Sequence, residues 1–520
     1  MTVVVTTDRV RHGRLAEILD TRDGLVVEAD DGEGRFSAVR GPVREYARTV
    51  EVVPAGAGEL VEVRQTVTYR LAVPFFGWLL GYPVRRALGR LGRAHRHPWW
   101  APPDPVDARA AAMLGSLCAL AAVAAYPGIL LAQAIEFARE ELLFTPSQQS
   151  LALAAVRGDV VVALGLVALA DRRGRRRVML AALGAGCVAV ALGGAAPDLV
   201  VLTATQVVGR GCLAGALILM GIMAAEEVPA GSRAYAVSVL SASGALGAGA
   251  ALAALPLADL GLKGWRLPFA LAVLGLPLTL LFSRPLPESR RFRAPHAEVR
   301  MTGHGRRLWL LGASAFLFAV FLGPASQYQN VFLRRERGFS AARISLFTIA
   351  TNVWGGIGIV VGGRLADVRG RRVVAAVGIL GGVGATVLMF FSVGWTVWAW
   401  SVVGAIVGAA TIPALGVYGP ELFPTSLRGR ANGIISGLGR AGSVAGLLVV
   451  AAIIGGRTDL APVMAVLALG PALLVVIVLT RYPETAHREL EDLNPEDRGP
   501  APPGPAEEDS GGWRPVASGP

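Results

Sequence analysis

The polar and apolar positions of this chain follow two regimes that meet near residue 105. Before it, apolar and β-branched residues alternate with polar ones in short runs, at 2–6, 24–29, 35–39, 49–53 and 60–71, with Gly, Asp and Pro between them. Period-two runs separated by turn formers predict strands, so residues 1–105 read as a small α+β domain. At 73–93 the spacing becomes helical, with Phe75, Phe76, Trp78, Leu79, Leu80 and Leu88 set against Arg85, Arg86, Arg90 and Arg93. A basic amphipathic helix of this kind suits the anionic cytoplasmic leaflet of a membrane. His95 and His97 beside Trp99 and Trp100 supply only two metal ligands, so that stretch reads as an interfacial linker, not a metal site.

After residue 105 the alternation gives way to long apolar runs, at about 110–134, 149–170, 177–196, 199–223, 234–257, 265–283, 308–329, 342–363, 372–393, 395–418, 431–455 and 460–481. Each is close to the ~20 residues that cross a bilayer. Twelve spans put both termini on one side. Composition agrees: the chain is 53% hydrophobic, with mean hydropathy +0.52, too apolar for a soluble protein of 520 residues. The net charge of +12 is almost wholly arginine, Lys263 being the only lysine. The arginines gather before span 1 and after spans 2, 4, 6, 8 and 10, which assigns that side to the cytoplasm and makes nucleic acid a poor partner. Arg334, Arg335, Arg337 and Arg343 after span 7 run against the trend. Cys118, Cys187 and Cys212 lie in apolar runs and suggest neither disulfides nor a metal. The N-terminus carries no signal-peptide pattern. From residue 487 the chain is rich in Pro, Gly and acid and is expected to be a disordered tail.

The second regime repeats itself. L-A-D-R-R-G-R-R-R at 169–177 returns as L-A-D-V-R-G-R-R at 365–372. E-E-V-P-A-G-S-R at 226–233 returns as E-L-F-P-T-S-L-R at 421–428, and P-E-S at 287–289 as P-E-T at 483–485. The offsets are 195 or 196 throughout, as a six-plus-six duplication requires. These marks resemble those of the major facilitator superfamily, whose loops between helices 2 and 3 and between 8 and 9 read roughly G-x-L-A-D-R-x-G-R-R. Val167 and Val368 depart from that pattern. Gly264-Trp265-Arg266 and the P-E-S-R-R after span 6 are similar to the sugar-porter-like branch, although the Q-x-x-G-x-N run of true sugar porters in span 7 is replaced by S-Q-Y-Q-N at 326–330. V-R-Q-T-V-T-Y-R-L-A-V-P at 63–74 with the helix that follows it faintly resembles the end of a START-like, polyketide-cyclase-type domain.

The resemblance implies an all-α membrane protein with 12 transmembrane helices in two pseudo-symmetric six-helix halves, plus the small α+β N-terminal cytoplasmic domain. Its parts would be 1–105, 106–284, a linker 285–307, 308–486 and a tail 487–520. It implies a multi-pass plasma (inner) membrane protein with both termini cytoplasmic, and a secondary active transporter working by alternating access, expected to be monomeric. By matching positions, Asp171, Arg175, Glu226 and Arg233 would form one gating latch, and Asp367, Arg371, Glu421 and Arg428 the other.

Inside the spans, ionisable residues are costly and face a cavity or each other. Asp159 lies ~18 Å along the helix from Asp171, with Arg157 beside it; Arg210 and Arg440 sit within spans 4 and 11, flanked by Gly209, Gly211, Gly437 and Gly439. Three arginines and one aspartate leave a surplus of positive charge for an anionic metabolite, and Asp159 is the proton-coupling candidate. The alternative is a buried pair bracing the bundle. Asn330 and Asn352, with Tyr328, Gln329, Trp354 and Tyr418, are further lining candidates, or else interhelical hydrogen-bonding and interfacial groups; Gln133 and Glu136 stand near the outer end of span 1. The expected partners are a small-molecule substrate, protons and membrane lipids. Neither a phosphate-binding loop nor a nucleophile–base pair stands out, so no enzyme, cofactor or metal is expected. The other readings are a drug or metabolite efflux antiporter, and a transport-deficient membrane-tethered sensor using the N-terminal domain.

Overall fold

The computed structural model describes all residues except 55–59, 92–96, 145–147, 149–151, 153–154, 291–300, 340, 425–426, 455–459 and 498–520. Arg93, His95 and Arg96 lie outside the described residues. The N-terminal domain is a five-stranded antiparallel sheet of β1 (Thr2–Arg11), β2 (Val27–Gly32), β3 (Arg35–Arg40), β4 (Val43–Pro54) and β5 (Leu60–Leu71), in the order β1-β5-β4-β3-β2. β5 pairs with β1 from Thr2↔Tyr69 to Arg11↔Leu60 and with β4 on its other side. The inward-facing residues of this pattern, Val63, Val67 and Tyr69 on β5, are fully buried. Helix α1 (Gly77–Leu88) closes one end of the sheet by burying Val84 and Leu88 against Val4, Val67 and Tyr69. Arg48 and Glu28, both buried, form a salt bridge of 2.6 Å. Arg48 also donates to the carbonyls of Ile18 and Asp20, and Tyr46 donates its hydroxyl to Glu28. Every arm of this buried pair therefore has a partner, the condition under which an interior ion pair is tolerated.

The remaining helices are α2 (Ala108–Leu142), α3 (Asp159–Arg173), α4 (Arg175–Gly193), α5 (Leu199–Glu227), α6 (Arg233–Ala254), α7 (Arg266–Ser283), α8 (Gly305–Val331), α9 (Leu346–Arg369), α10 (Arg371–Phe391), α11 (Trp395–Glu421), α12 (Arg428–Ile454) and α13 (Ala461–Arg481). Eleven of them hold stretches long and apolar enough to cross a membrane, among the described residues. The other is α3, at the position of the expected second span, whose described helix runs over 15 residues after a break at 157–158. The break repeats in α9 at 353–354. In both places the backbone tightens to i→i+3 bonds, Val161 N–H to the Gly158 carbonyl and Ile357 N–H to that of Trp354.

Two cores form, one in each half. Within the first, α6 lies against α2; within the second, α12 lies against α8. Gly247 and Gly442 allow this, since a Cβ at either would collide with the backbone of the partner helix, at Ala122 and Phe316. The halves meet through α3 with α12 and α6 with α9, so Ala234 and Val237 of α6 belong to the second core. The turns at Gly174 and Gly370, with φ of 99° and 96°, need glycine, and they join α3 to α4 and α9 to α10 at the arginine-rich end. One of the opposing arginines after span 7, Arg337, has a local reason. Arg337 donates to the carbonyls of Ser392 and Phe390 and so closes the C-terminus of α10.

Residues 487–497, placed in the tail by composition, are packed: Leu490 and Asn494 are fully buried, and α14 (Leu490–Leu493) lies under the second half. Asn494 donates to the Glu421 carbonyl and accepts from Arg307. Leu490 and Leu493 are both buried, apolar positions that the overall composition conceals. At 98–104 the chain lies across both halves. Arg364 of α9 donates to the Pro98 and Ala101 carbonyls, Tyr235 of α6 donates to the Trp100 carbonyl, and the Asp104 carboxylate accepts from Gly231 N–H.

Candidate functional site

At the arginine-rich end, the two repeated motifs are assembled by helix ends. The turn at Gly174 delivers Arg175 to Glu226 at the end of α5, and the turn at Gly370 delivers Arg371 to Glu421 at the end of α11. All four side chains are fully buried. The remaining arginine of each motif reaches the carboxylate of the opposite half. Arg233 reaches Glu421 at 3.4 Å, and Arg428 reaches Glu226. The expected within-half latches of Asp171, Arg175, Glu226 and Arg233 and of Asp367, Arg371, Glu421 and Arg428 are thus exchanged at their arginines. The reason is geometric: Arg233 begins α6 and Arg428 begins α12, the two helices that face the opposite half.

The aspartates tie helix starts together. Asp367 accepts from the N–H groups of Ala234 and Tyr235, capping α6 from the other half, and Arg371 lies 3.3 Å from its carboxylate. Asp171 lies against Gly429 at the start of α12. Two further carboxylates belong to the network. Glu288 accepts from Arg176 N–H at 3.0 Å and Glu484 from Arg371 N–H at 3.0 Å, so the P-E-S and P-E-T motifs cap α4 and α10. Ser289 donates to Glu226, and Thr485 accepts from Arg371. Those motifs were visible as repeats; their role needed the folded chain.

The mid-span cluster forms at the break in span 2. Asp159 is the first residue of α3, where the helix N-terminus favours a carboxylate, and it is 4% exposed. Arg440 of α12 donates to one of its oxygens and Arg210 of α5 stands 3.8 Å from the other. Gly211 permits this approach, because a Cβ there would collide with Val162 and the Asp159 carbonyl. Arg210 also donates to the Gly128 carbonyl of α2 at 2.9 Å, and Arg157 reaches Ser443 of α12 at 3.4 Å. Three arginines, from the break before α3, from α5 and from α12, therefore gather around one carboxylate, and two bonds, from Arg440 to Asp159 and from Arg157 to Ser443, cross between the halves. Arg210 and Arg440 keep about a third of their side chains exposed.

Of the other expected residues, Asn352, Trp354 and Tyr418 do not join this cluster. Asn352 and Trp354 are exposed at the break in α9, the counterpart of the Arg157 position, and Tyr418 is buried against Tyr482 near the end network. Asn330 is in the last turn of α8, and its side chain lies outside the described residues, as do those of Gln133 and Glu136. At the opposite end of the bundle, Glu141 holds both Arg266, at 2.9 Å, and the Trp265 indole, at 2.7 Å. G-W-R is thereby a clasp between α2 and α7. Gln206, one turn from Arg210 and fully buried, also went unremarked in the sequence.

The family model for the Major Facilitator Superfamily matches residues 112–351 and 327–520. No curated protein sequence matches the chain. Among solved structures, the proton:xylose symporter XylE superposes with a TM-score of 0.63 at 17% identity, over 73% of this chain and 98% of that one. FucP, the E. coli fucose:proton symporter, in its outward conformation, gives 0.60 at 12% identity over 72% and 100%. The human organic anion transporter MFSD10 gives 0.54 at 17% over 70% and 97%.

Proposed function

This chain belongs to the Major Facilitator Superfamily, and from that premise we propose that it moves a small anionic metabolite across the membrane by alternating access, coupled to protons. One observation carries the choice of an anion: among the described residues, Arg210 and Arg440 both contact Asp159, and Arg157, bonded to Ser443, stands two residues before it. A carboxylate substrate supplies the missing negative charge, and a guanidinium holds it through two parallel hydrogen bonds. A proton arriving on Asp159 neutralises that carboxylate and frees Arg440 and Arg210 for the substrate, so proton and anion enter together. Because Arg440 belongs to one half and Arg210 to the other, a bound anion bridges them and shares in their rocking.

The exchanged pairs Arg233–Glu421 and Arg428–Glu226 hold the arginine-rich face shut, and the conformation is accordingly read as open to the opposite side. The arginines of that face support reading it as the cytoplasmic one. Purified protein in vesicles with an imposed pH gradient tests the reading against a panel of carboxylates and neutral sugars. Uptake of a carboxylate driven by the gradient is expected; accumulation of sugars with no carboxylate transported would defeat it.

A further inference from the structure

Helix α1 is built to meet two environments. Val84 and Leu88 face the sheet, while Trp78, Leu79 and Tyr82 on the other side are 80%, 55% and 72% exposed. One to two turns further on, the same outer face continues as Arg85, Arg86 and Arg90, all exposed. Aromatic and aliphatic groups left bare on one half of a helix, with arginines on the other, are the arrangement of an interfacial element.

The position of the helix fixes what that face meets. Just before α1 the chain turns sharply at Phe75, whose φ is +65°. The Phe75 ring packs on Phe282 at the end of α7, with centroids 4.6 Å apart. Val73 and Pro74 press against Gly115 of α2, where an added Cβ would lie 3.0 Å from the Pro74 ring. Gly115 stands seven residues inside α2, a depth of ~10 Å at 1.5 Å per residue. The start of α1 is therefore fastened to two spanning helices. Beside its arginines, a cleft of about 400 Å³ opens between β1 and the helix, lined by Val4, Tyr82, Arg85, Arg86, Gly89 and Arg90.

We propose that α1 lies in the headgroup layer of the adjoining leaflet and that this cleft takes the phosphate headgroup of an anionic phospholipid. Trp78, Leu79 and Tyr82 enter the acyl boundary, and Arg85, Arg86 and Arg90 hold the phosphate. The N-terminal domain is thus a lipid-reading module, whatever substrate the bundle moves.

The test uses the full chain in nanodiscs of phosphatidylcholine, alone or with phosphatidylglycerol. An environment-sensitive fluorophore is placed by Tyr82→Cys, by Leu79→Cys outside the cleft, or by Val39→Cys on exposed β3 as a water-facing reference; the three native cysteines are buried. Emission at 79 and 82 should be blue-shifted and quenched by lipid-borne quenchers, and that at 39 should not. Phosphatidylglycerol should deepen both effects, and the combined Arg85→Gln, Arg86→Gln and Arg90→Gln variant should lose only that increment. Water-like emission at both 79 and 82 would overturn the proposal. So would a phosphatidylglycerol increment that survives the triple variant, or one reproduced by soluble glycerol phosphate in phosphatidylcholine discs.

Discussion

Asp159 and Arg210 separate charge pairing from charge capture. Arg210 contacts Asp159 with one edge and the Gly128 carbonyl with another. Lysine keeps the charge but not the fork. Arg210→Lys should leave the protein folded and weaken anion binding by about 1–3 kcal/mol, the range for a charged hydrogen bond; isothermal titration with the transported carboxylate measures it. Asp159→Asn should abolish accumulation driven by the pH gradient while sparing counterflow exchange. Normal coupled transport in either variant would mean that the cluster only braces the bundle. Another residue sets a pH limit on the N-terminal domain. Burial, with the Glu28 charge beside it, pushes the Tyr46 hydroxyl well above its ordinary value. In the unfolded chain that hydroxyl ionises near pH ~10, so the stability it confers is present below this pH and is lost as pH rises beyond it. Amide-exchange protection of β4 and β5 should fall above pH ~10 in the wild type more than in Tyr46→Phe, compared at each pH.

Helices reveal what a linear reading captures and what it misses. The spans were legible because twenty apolar residues in a row have few other fates, and the repeat was legible because its motifs recur at one offset. The break in span 2 was not: Gly158 and the Trp354-Gly355-Gly356 stretch sit in apolar runs whose hydropathy conceals a change of hydrogen bonding. Nor could spacing show that Arg233 and Arg428 cross between halves, since acid and base recur identically under either pairing. Close helix contact likewise depends on which glycine faces a neighbour. A Cβ at Gly442 meets the Phe316 backbone, whereas one at Gly384 of α10 meets nothing within 4 Å. Gly442→Leu should therefore lower thermal stability in detergent, at a cost of about 1–3 kcal/mol or more, as overpacking does. Gly384→Leu should change it little; equal losses would contradict the packing assigned to α8 and α12.

In the whole molecule, the end network belongs to one conformation. Arg233–Glu421 and Arg428–Glu226 exist only while α6, α9, α3 and α12 are together, whereas Arg175–Glu226 and Arg371–Glu421 lie within one half and persist when the halves part. Breaking a buried pair costs about 3–5 kcal/mol, and each ~1.4 kcal/mol lost from the closed state alone is a tenfold shift in population. Glu226→Gln combined with Glu421→Gln should raise the rate at which a thiol at Ser238→Cys, buried against Gly363, reacts with an impermeant reagent from the arginine-rich side by at least ~10-fold. An unchanged rate would show that these pairs do not hold the gate.

The exchange of arginines also orders the birth of the protein. Arg233 and Glu421 are 188 residues apart, and Arg428 and Glu226 are 202 apart. The ribosome completes the first six helices, with Arg175 already beside Glu226, long before Glu421 exists. Each half can enter the bilayer on its own pairing, and the crossed contacts close last.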